Sequence, residues 1–172
     1  CSSLESITIP FSVIEIGPQI LGACLSLTSV EILANITTIP AEFLREFTNL
    51  KSVTISDTVE IIGGYCFTQC YNLSSIIIPE KVKIINAYSF YQCFSLKSVT
   101  FLGNITQIKD NAFSFCYELK TLSVTSDNLS IEYQAFYGCT GLQSIEILGS
   151  CSILGEFSFA DCSSFINHNN SE

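Results

Sequence analysis

Cysteine is the residue type with the most capacity for chemistry in this chain, which has nine of them. Cys70, Cys93, Cys116, Cys139 and Cys162 stand on every twenty-third position, and Cys24 falls on the same grid. Phe47 takes the one place on that grid between Cys24 and Cys70, and Cys1 fits it upstream. Three chemistries are open to such a set. A disulfide framework is disfavoured by the odd count and by the single column: thiols on neighbouring strands lie ~4.8 Å apart at Cα, within bridging range, but with nearly parallel Cβ directions. A zinc site would need a second ligand pair beside Cys66 and Cys70, and none is near in sequence. A Cys–His nucleophile would have to recruit His168, the sole histidine, from the polar stretch NHNNSE. Phe47 is the informative exception. A large apolar ring standing where a thiol otherwise sits marks a packing position, and free Cys behaves as a small hydrophobe. The cysteines are therefore read as buried and reduced.

Carboxylates give no catalytic pair. Glu31 and Glu146 share one place in the repeat five units apart, about 24 Å by strand stacking, where acid–base pairs need less than ~10 Å. No phosphate-binding glycine loop and no nucleophile elbow is present. The expectation is a chain that is not an enzyme and has no cofactor and no metal.

These residues are positioned by a repeat. Leu4, Leu27, Leu50, Leu73, Leu96, Leu119 and Leu142 recur on the same period without insertion or deletion, giving seven full units. Numbering each unit from 0 at the leucine, positions 3 and 5 are apolar and mostly β-branched, from Ile7 and Ile9 to Ile145 and Ile147. This alternation predicts a short strand with one buried face, stacked into a parallel sheet. Positions 9 and 12 are apolar as well, with the sixth unit placing Leu129 one residue late. Positions 16 and 17 carry pairs such as Ala112-Phe113 and Ala135-Phe136, which suggest a short helical or 3-10 turn packed on the opposite side. A period in this range means a solenoid, each unit sealing the next.

The pattern L-x-S-I-x-I-P…V-x-x-I…A-F-x-x-C resembles the BspA-like leucine-rich repeat family over residues 1–165. The resemblance implies an α/β leucine-rich-repeat solenoid, with a parallel β-sheet on one face and short helical or 3-10 turns on the other. It also implies a surface protein of a bacterium or parasitic protist, used in adhesion. Phe47, the shifted Leu129, and Phe165 in place of leucine depart from the pattern. Residues 166–172 read as a polar tail. Cys1-Ser2-Ser3 precede Leu4 as Cys162-Ser163-Ser164 precede Phe165, so the solenoid is expected to be a fragment of a longer array, with end-to-end self-association as one consequence.

Hydrophobic residues make up 48% of the chain and charged residues 13%, with a mean hydropathy of +0.43. A shared linear core accounts for this, and no apolar run approaches the ~18 residues of a membrane span. A net charge of −9 excludes nucleic acid as the expected partner.

The exposed sheet face is the expected interaction surface. Position 2 is serine or threonine throughout. Position 4 offers Thr8, Glu31, Thr54, Ile77, Thr100, Ser123 and Glu146, and position 6 offers Leu33, Ser56, Pro79, Leu102, Thr125 and Leu148. These thirteen form the candidate face for a protein or glycan ligand at a cell surface or outside the cell. The alternative is an intracellular scaffold, which suits free thiols. Asn35, Asn72, Asn104 and Asn128 begin glycosylation sequons, as does Asn169. A chain rich in Asn, Ser and Thr also produces such triplets by composition alone.

Overall fold

The computed structural model describes residues 3–22 and 24–165. Cys1, His168, Asn169 and the whole 166–172 segment lie outside them. The strands are β1 (Ser6–Ile9), β2 (Ser29–Ile32), β3 (Thr38–Ile39), β4 (Ser52–Ile55), β5 (Ile61–Ile62), β6 (Ser75–Ile78), β7 (Ile84–Ile85), β8 (Ser98–Phe101), β9 (Gln107–Ile108), β10 (Thr121–Ile131) and β11 (Ser144–Leu154). Every pairing is parallel, and almost every pair is one repeat apart, as Ser6↔Ser29 and Ile9↔Ile32 illustrate. Each unit is thus one coil of a parallel solenoid.

A coil has three sides. The first is the four-residue strand of positions 2–5, formed by β1, β2, β4, β6, β8 and the opening halves of β10 and β11, which pair in the segments β1-β2-β4, β6-β8 and β10-β11 and are together called the first sheet. Its inward side chains, such as Ile32, Ile78 and Val124, are completely buried. The second is a two-residue strand at positions 11–12. The order β3-β5-β7-β9-β10-β11 joins it into a continuous second sheet. Here the buried position 12 isoleucines Ile39, Ile62, Ile85, Ile108 and Ile131 form a column.

The third side departs from the expected helical turns: among the described residues it contains turns and no helix. The backbone explains why. Tyr65, Tyr88, Asn111 and their equivalents at position 15 have φ between 52° and 60°, and Gln69, Gln92, Phe115 and Gly138 at position 19 lie in the same left-handed region. A left-handed residue every fourth place cannot propagate a right-handed helix. It does suit the third residue of a type II turn. Backbone bonds alternate accordingly. The N–H groups of Tyr88, Phe90 and Gln92 donate to the next coil, to the carbonyls of Asp110, Ala112 and Ser114 at 3.0, 2.8 and 2.9 Å. Those of Ser89, Tyr91 and Cys93 close tight turns onto Asn86, Tyr88 and Phe90, each at 3.2 Å. A helix would spend every N–H on its own segment, whereas this arrangement ties the third side to its neighbour. The cross-coil bonds offset the ~1–2 kcal/mol that each left-handed non-glycine residue costs.

The late Leu129 is absorbed by a bulge. The β10–β11 register shifts between Ser126 and Leu129, so that Leu129 faces Cys151 and is fully buried. Opposite Ser126 stands Gly149, at φ 127°, where a Cβ would collide with the Ser126 carbonyl. Only glycine fits both conditions.

Between the sides runs the core. Its spine is a column of buried phenylalanines. Phe67, Phe90, Phe113 and Phe136 stack at centroid spacings of 5.0, 5.0 and 5.3 Å, and Phe159 follows at 5.3 Å. Beside it stands the thiol column. Cys70, Cys93, Cys116 and Cys139 are fully buried, and the described cysteines are all free. They are more than filler. Each Sγ donates to the carbonyl of the preceding coil's position 17: Cys70 to Leu44 at 3.2 Å, Cys93 to Phe67 at 3.1 Å, Cys116 to Phe90 at 3.3 Å and Cys139 to Phe113 at 3.0 Å.

This geometry sets a stability test. In Cys93→Ser the shorter side chain leaves its hydroxyl beyond the ~2.5–3.0 Å that O–H···O bonds prefer, so a polar group is buried and poorly paired. A loss of about 1–3 kcal/mol is expected in urea unfolding. Cys93→Ala should cost less, because the Phe67 carbonyl keeps the Cys70 N–H at 3.2 Å. Equal and negligible losses in both variants would show that the column is not a sealed part of the core.

Candidate interaction face

Strand alternation turns positions 2 and 4 outward on the first sheet. Thr8, Glu31, Thr54, Ile77, Thr100, Ser123 and Glu146 are all exposed, as are Leu33, Leu102, Thr125 and Leu148 at position 6. Two of the thirteen candidates behave differently. Pro79 is buried, because β6 ends at Ile78 and Pro79 starts the turn that the Val82 N–H closes onto its carbonyl at 3.1 Å. It leaves the candidate face. Ser56 is half-buried, at 3.0 Å from the Thr58 hydroxyl, so it serves the corner of its coil.

The two carboxylates are held by the coil before them. The Thr8 hydroxyl donates to Glu31 Oε2 at 2.7 Å, and the Ser123 hydroxyl donates to Glu146 Oε2 at 3.1 Å. Both acids sit on regular strands with one oxygen fixed, which orients them before any partner arrives. Around Glu31 the sheet forms a hollow of about 300 Å³ lined by Ser6, Thr8, Ser29, Ser52, Thr54 and the strand between them. Between the two acids the face is apolar in patches, with Ile77 58% and Leu102 59% exposed. No lysine or arginine occupies positions 2, 4 or 6 in any coil. The arrangement can therefore accept hydrogen bonds, pair with cations and bury apolar groups. Among the described residues no three His, Cys, Asp or Glu side chains group as a metal site. No described helix is long and apolar enough to cross a membrane.

The sequon asparagines differ in availability. Asn35 and Asn128 are exposed. Asn104 is half-buried, with its amide 3.3 Å from an Asp127 carboxylate oxygen. Asn72 is exposed, but its amide donates to the Thr48 carbonyl at 2.7 Å.

Sequence reasoning passed over one surface feature. Position 21 carries Tyr71, Phe94 and Tyr117, which stack at 4.8 and 5.1 Å, and Tyr65 stacks on Tyr88 at 4.8 Å. The signal was aromatic identity recurring once per unit, outside the core positions on which the repeat was aligned.

The BspA type leucine rich repeat region matches residues 1–94 and 83–171, in 6 copies. Among solved structures the chain is similar to a leucine-rich repeat protein of Bacteroides ovatus (TM-score 0.73, 22% identity, covering 94% of this chain and 48% of that one). It is also similar to the leucine-rich repeat protein of T. pallidum (TM-score 0.77, 22% identity, 94% and 78%) and to one of Eubacterium ventriosum (TM-score 0.67, 18% identity, 98% and 56%). At these identities the likeness is one of fold. The chain spans about half the length of the Bacteroides ovatus protein. No curated protein matches the sequence. Match length, coil period and sheet register agree, and the chain belongs to the BspA-type leucine-rich repeat family.

Proposed function

We propose that the chain is a non-enzymatic interaction module of a cell surface, which docks a protein partner on the face of its first sheet. Leucine-rich repeat proteins typically act as interaction modules, and this face supplies what docking needs. The observation that carries the reading is the exposed pair Ile77, on β6, and Leu102, one residue past β8, 58% and 59% accessible, between the held carboxylates Glu31 and Glu146. Apolar anchors give a protein interface most of its energy, and pre-oriented charges give it register. The missing cations on this face favour a partner with basic residues.

The test is binding of the purified chain to immobilised extracellular-matrix proteins, with surface labelling of intact native cells in parallel. Ile77→Arg combined with Leu102→Arg should weaken a protein partner by ~30-fold or more, the loss of at least one hot spot. Unchanged binding by this variant would exclude the sheet face. A second reading, an intracellular scaffold, is favoured by the free thiols. Glycan on Asn35 or Asn128 in native material would decide for the surface, and an entirely cytosolic native protein would decide for the scaffold.

A further inference from the structure

The corner between the turn side and the first sheet holds a second hollow, of about 460 Å³, lined by Lys97, Tyr117, Glu118, Lys120 and Gly141. We propose that it is a binding site for an anionic pyranoside, a sugar ring bearing a carboxylate or sulfate. The proposal uses positions 1, 21 and 22 of the coils and none of the sheet-face residues, so it stands or falls separately from the docking surface above.

Three observations meet here. First, the column Tyr71–Phe94–Tyr117 stops at Tyr117. Its ring stacks on Phe94 at 5.1 Å and 12° on one side. The next place in the column belongs to Thr140, so no stacked ring follows on the other side. Phe115 meets Tyr117 in an edge arrangement at 6.1 Å, which braces it without stacking on it. Tyr117 is 43% exposed. A flat aromatic face held rigid from behind is a platform for the apolar face of a pyranose, whose C–H groups are drawn to the negative ring face.

Second, the charge inverts locally. The chain carries −9 overall, yet this hollow has two lysines, on adjacent coils, and one glutamate. Lys97 Nζ pairs with Glu118 Oε2 at 3.4 Å, with both side chains exposed. Such a pair is weak and exchanges readily for a better partner. Lys120 has no carboxylate within bridging distance among the described residues. Two ammonium groups beside the platform therefore suit one anionic substituent, and Glu118 is placed to accept from ring hydroxyls.

Third, Gly141, which lines the hollow in the coil after Tyr117, carries no side chain to fill it. Gly141 lies so close to the Tyr117 carbonyl that a Cβ there would collide with it. Glycine is thus fixed by backbone approach, and no side chain at this place enters the hollow. Few precisely placed polar groups around a largely apolar wall is the usual make-up of a small-ligand site.

The test is an NMR titration of the full chain, following the Tyr117 ring and the Lys120 amide, with four probes. These are methyl β-D-glucuronide, glucose 6-sulfate, methyl β-D-glucoside and acetate. The glucuronide, the sulfate or both should shift Tyr117 and Lys120 saturably, and their ratio identifies the anion preferred. The neutral glucoside should bind about tenfold more weakly, for the loss of one charge-assisted contact. Acetate alone should not bind. Tyr117→Ala, at an exposed column end, should abolish sugar binding. Lys120→Gln should bring the charged probes down to the glucoside. Tyr71→Ala, at the opposite end of the same column where only Lys51 shares the lysine row, should leave binding unchanged. The proposal is overturned if acetate matches the glucuronide, if glucoside and charged probes bind alike, or if no probe perturbs Tyr117.

Discussion

Above about pH 9 the folded chain is expected to lose stability steeply, with free energy of unfolding falling by ~1.4 kcal/mol per pH unit for each sealed thiol. The cause is burial. Desolvation raises the Cys66, Cys70, Cys93, Cys116 and Cys139 thiols well above their ordinary value of 9.0, and neighbouring thiols push all of these but Cys70 further. Cys162, on the last coil, is raised to about 11 for the same first reason. A group whose acidity is weakened by folding contributes its full share below the unfolded pKa and loses it as pH rises toward the folded one. Below about pH 7.5 both states keep their protons and the thiol-linked slope vanishes. Above it the unfolded chain releases protons that the folded chain retains, so unfolding gains. Five sealed thiols together make a slope on the order of 7 kcal/mol per pH unit, comparable with the whole stability of a typical domain. Urea unfolding at pH 8, 9 and 10 reads the effect. The decisive comparison is a cysteine-to-alanine series in the column. The slope should shallow by ~1.4 kcal/mol per pH unit for each thiol removed. A slope indifferent to their number would mean that hydroxide reaches the column in the native state.

Phe113→Ala should be the most damaging single truncation. Phe113 is wholly buried, and its ring lies between those of Phe90 and Phe136 at 5.0 and 5.3 Å. Removing it opens a gap in the middle of the column, where neighbours on both sides are held by cross-coil backbone bonds and cannot close in. The Phe113 N–H to Ala135 carbonyl bond, at 2.8 Å, is one of these. Expected loss is about 3–5 kcal/mol, from burial forfeited and cavity left. Leucine at the same place should recover much of it, since Leu44 already fills the equivalent position in the second coil with no exposure. The measurement is again urea unfolding. A loss below ~1 kcal/mol would show that the coils slide to fill the space, contrary to a close-packed spine.

The coil was legible because each unit meets only its neighbours, so every core position is written again one unit later. Leu129 stood one residue late in the sequence, and the structure accommodates it with a bulge that buries it. The turn side was not legible. Its left-handed places are occupied by Gln, Glu, Tyr, Asn, Phe and Asp, with Gly138 as the glycine among them, and so the usual mark of such a backbone is missing. Alternation of backbone bonds between in-coil and cross-coil partners leaves no side-chain period to read. The two-residue strands of the second sheet are too short for any pattern. On the first sheet side, alternation predicted that Thr8, Glu31 and Ile77 are exposed, and they are. It failed at Pro79, which is buried and starts the turn closed by the Val82 N–H. The Tyr117 platform escaped notice because its meaning depends on a vacancy, the small residue that follows it in the column.

Hydrogen bonds between coils run along the axis of the array, backward from the sheets, as at Leu33 and Leu102, and forward from the turn side, as at Tyr88 and Phe90. Tension applied between the two ends of the array would therefore load these bonds end-on, a few at a time. The chain would give way as a tape pulled from its roll, each detached turn releasing its own length of slack before the next is strained. A tether of this kind absorbs a tug by lengthening in steps while the remaining turns keep their shape.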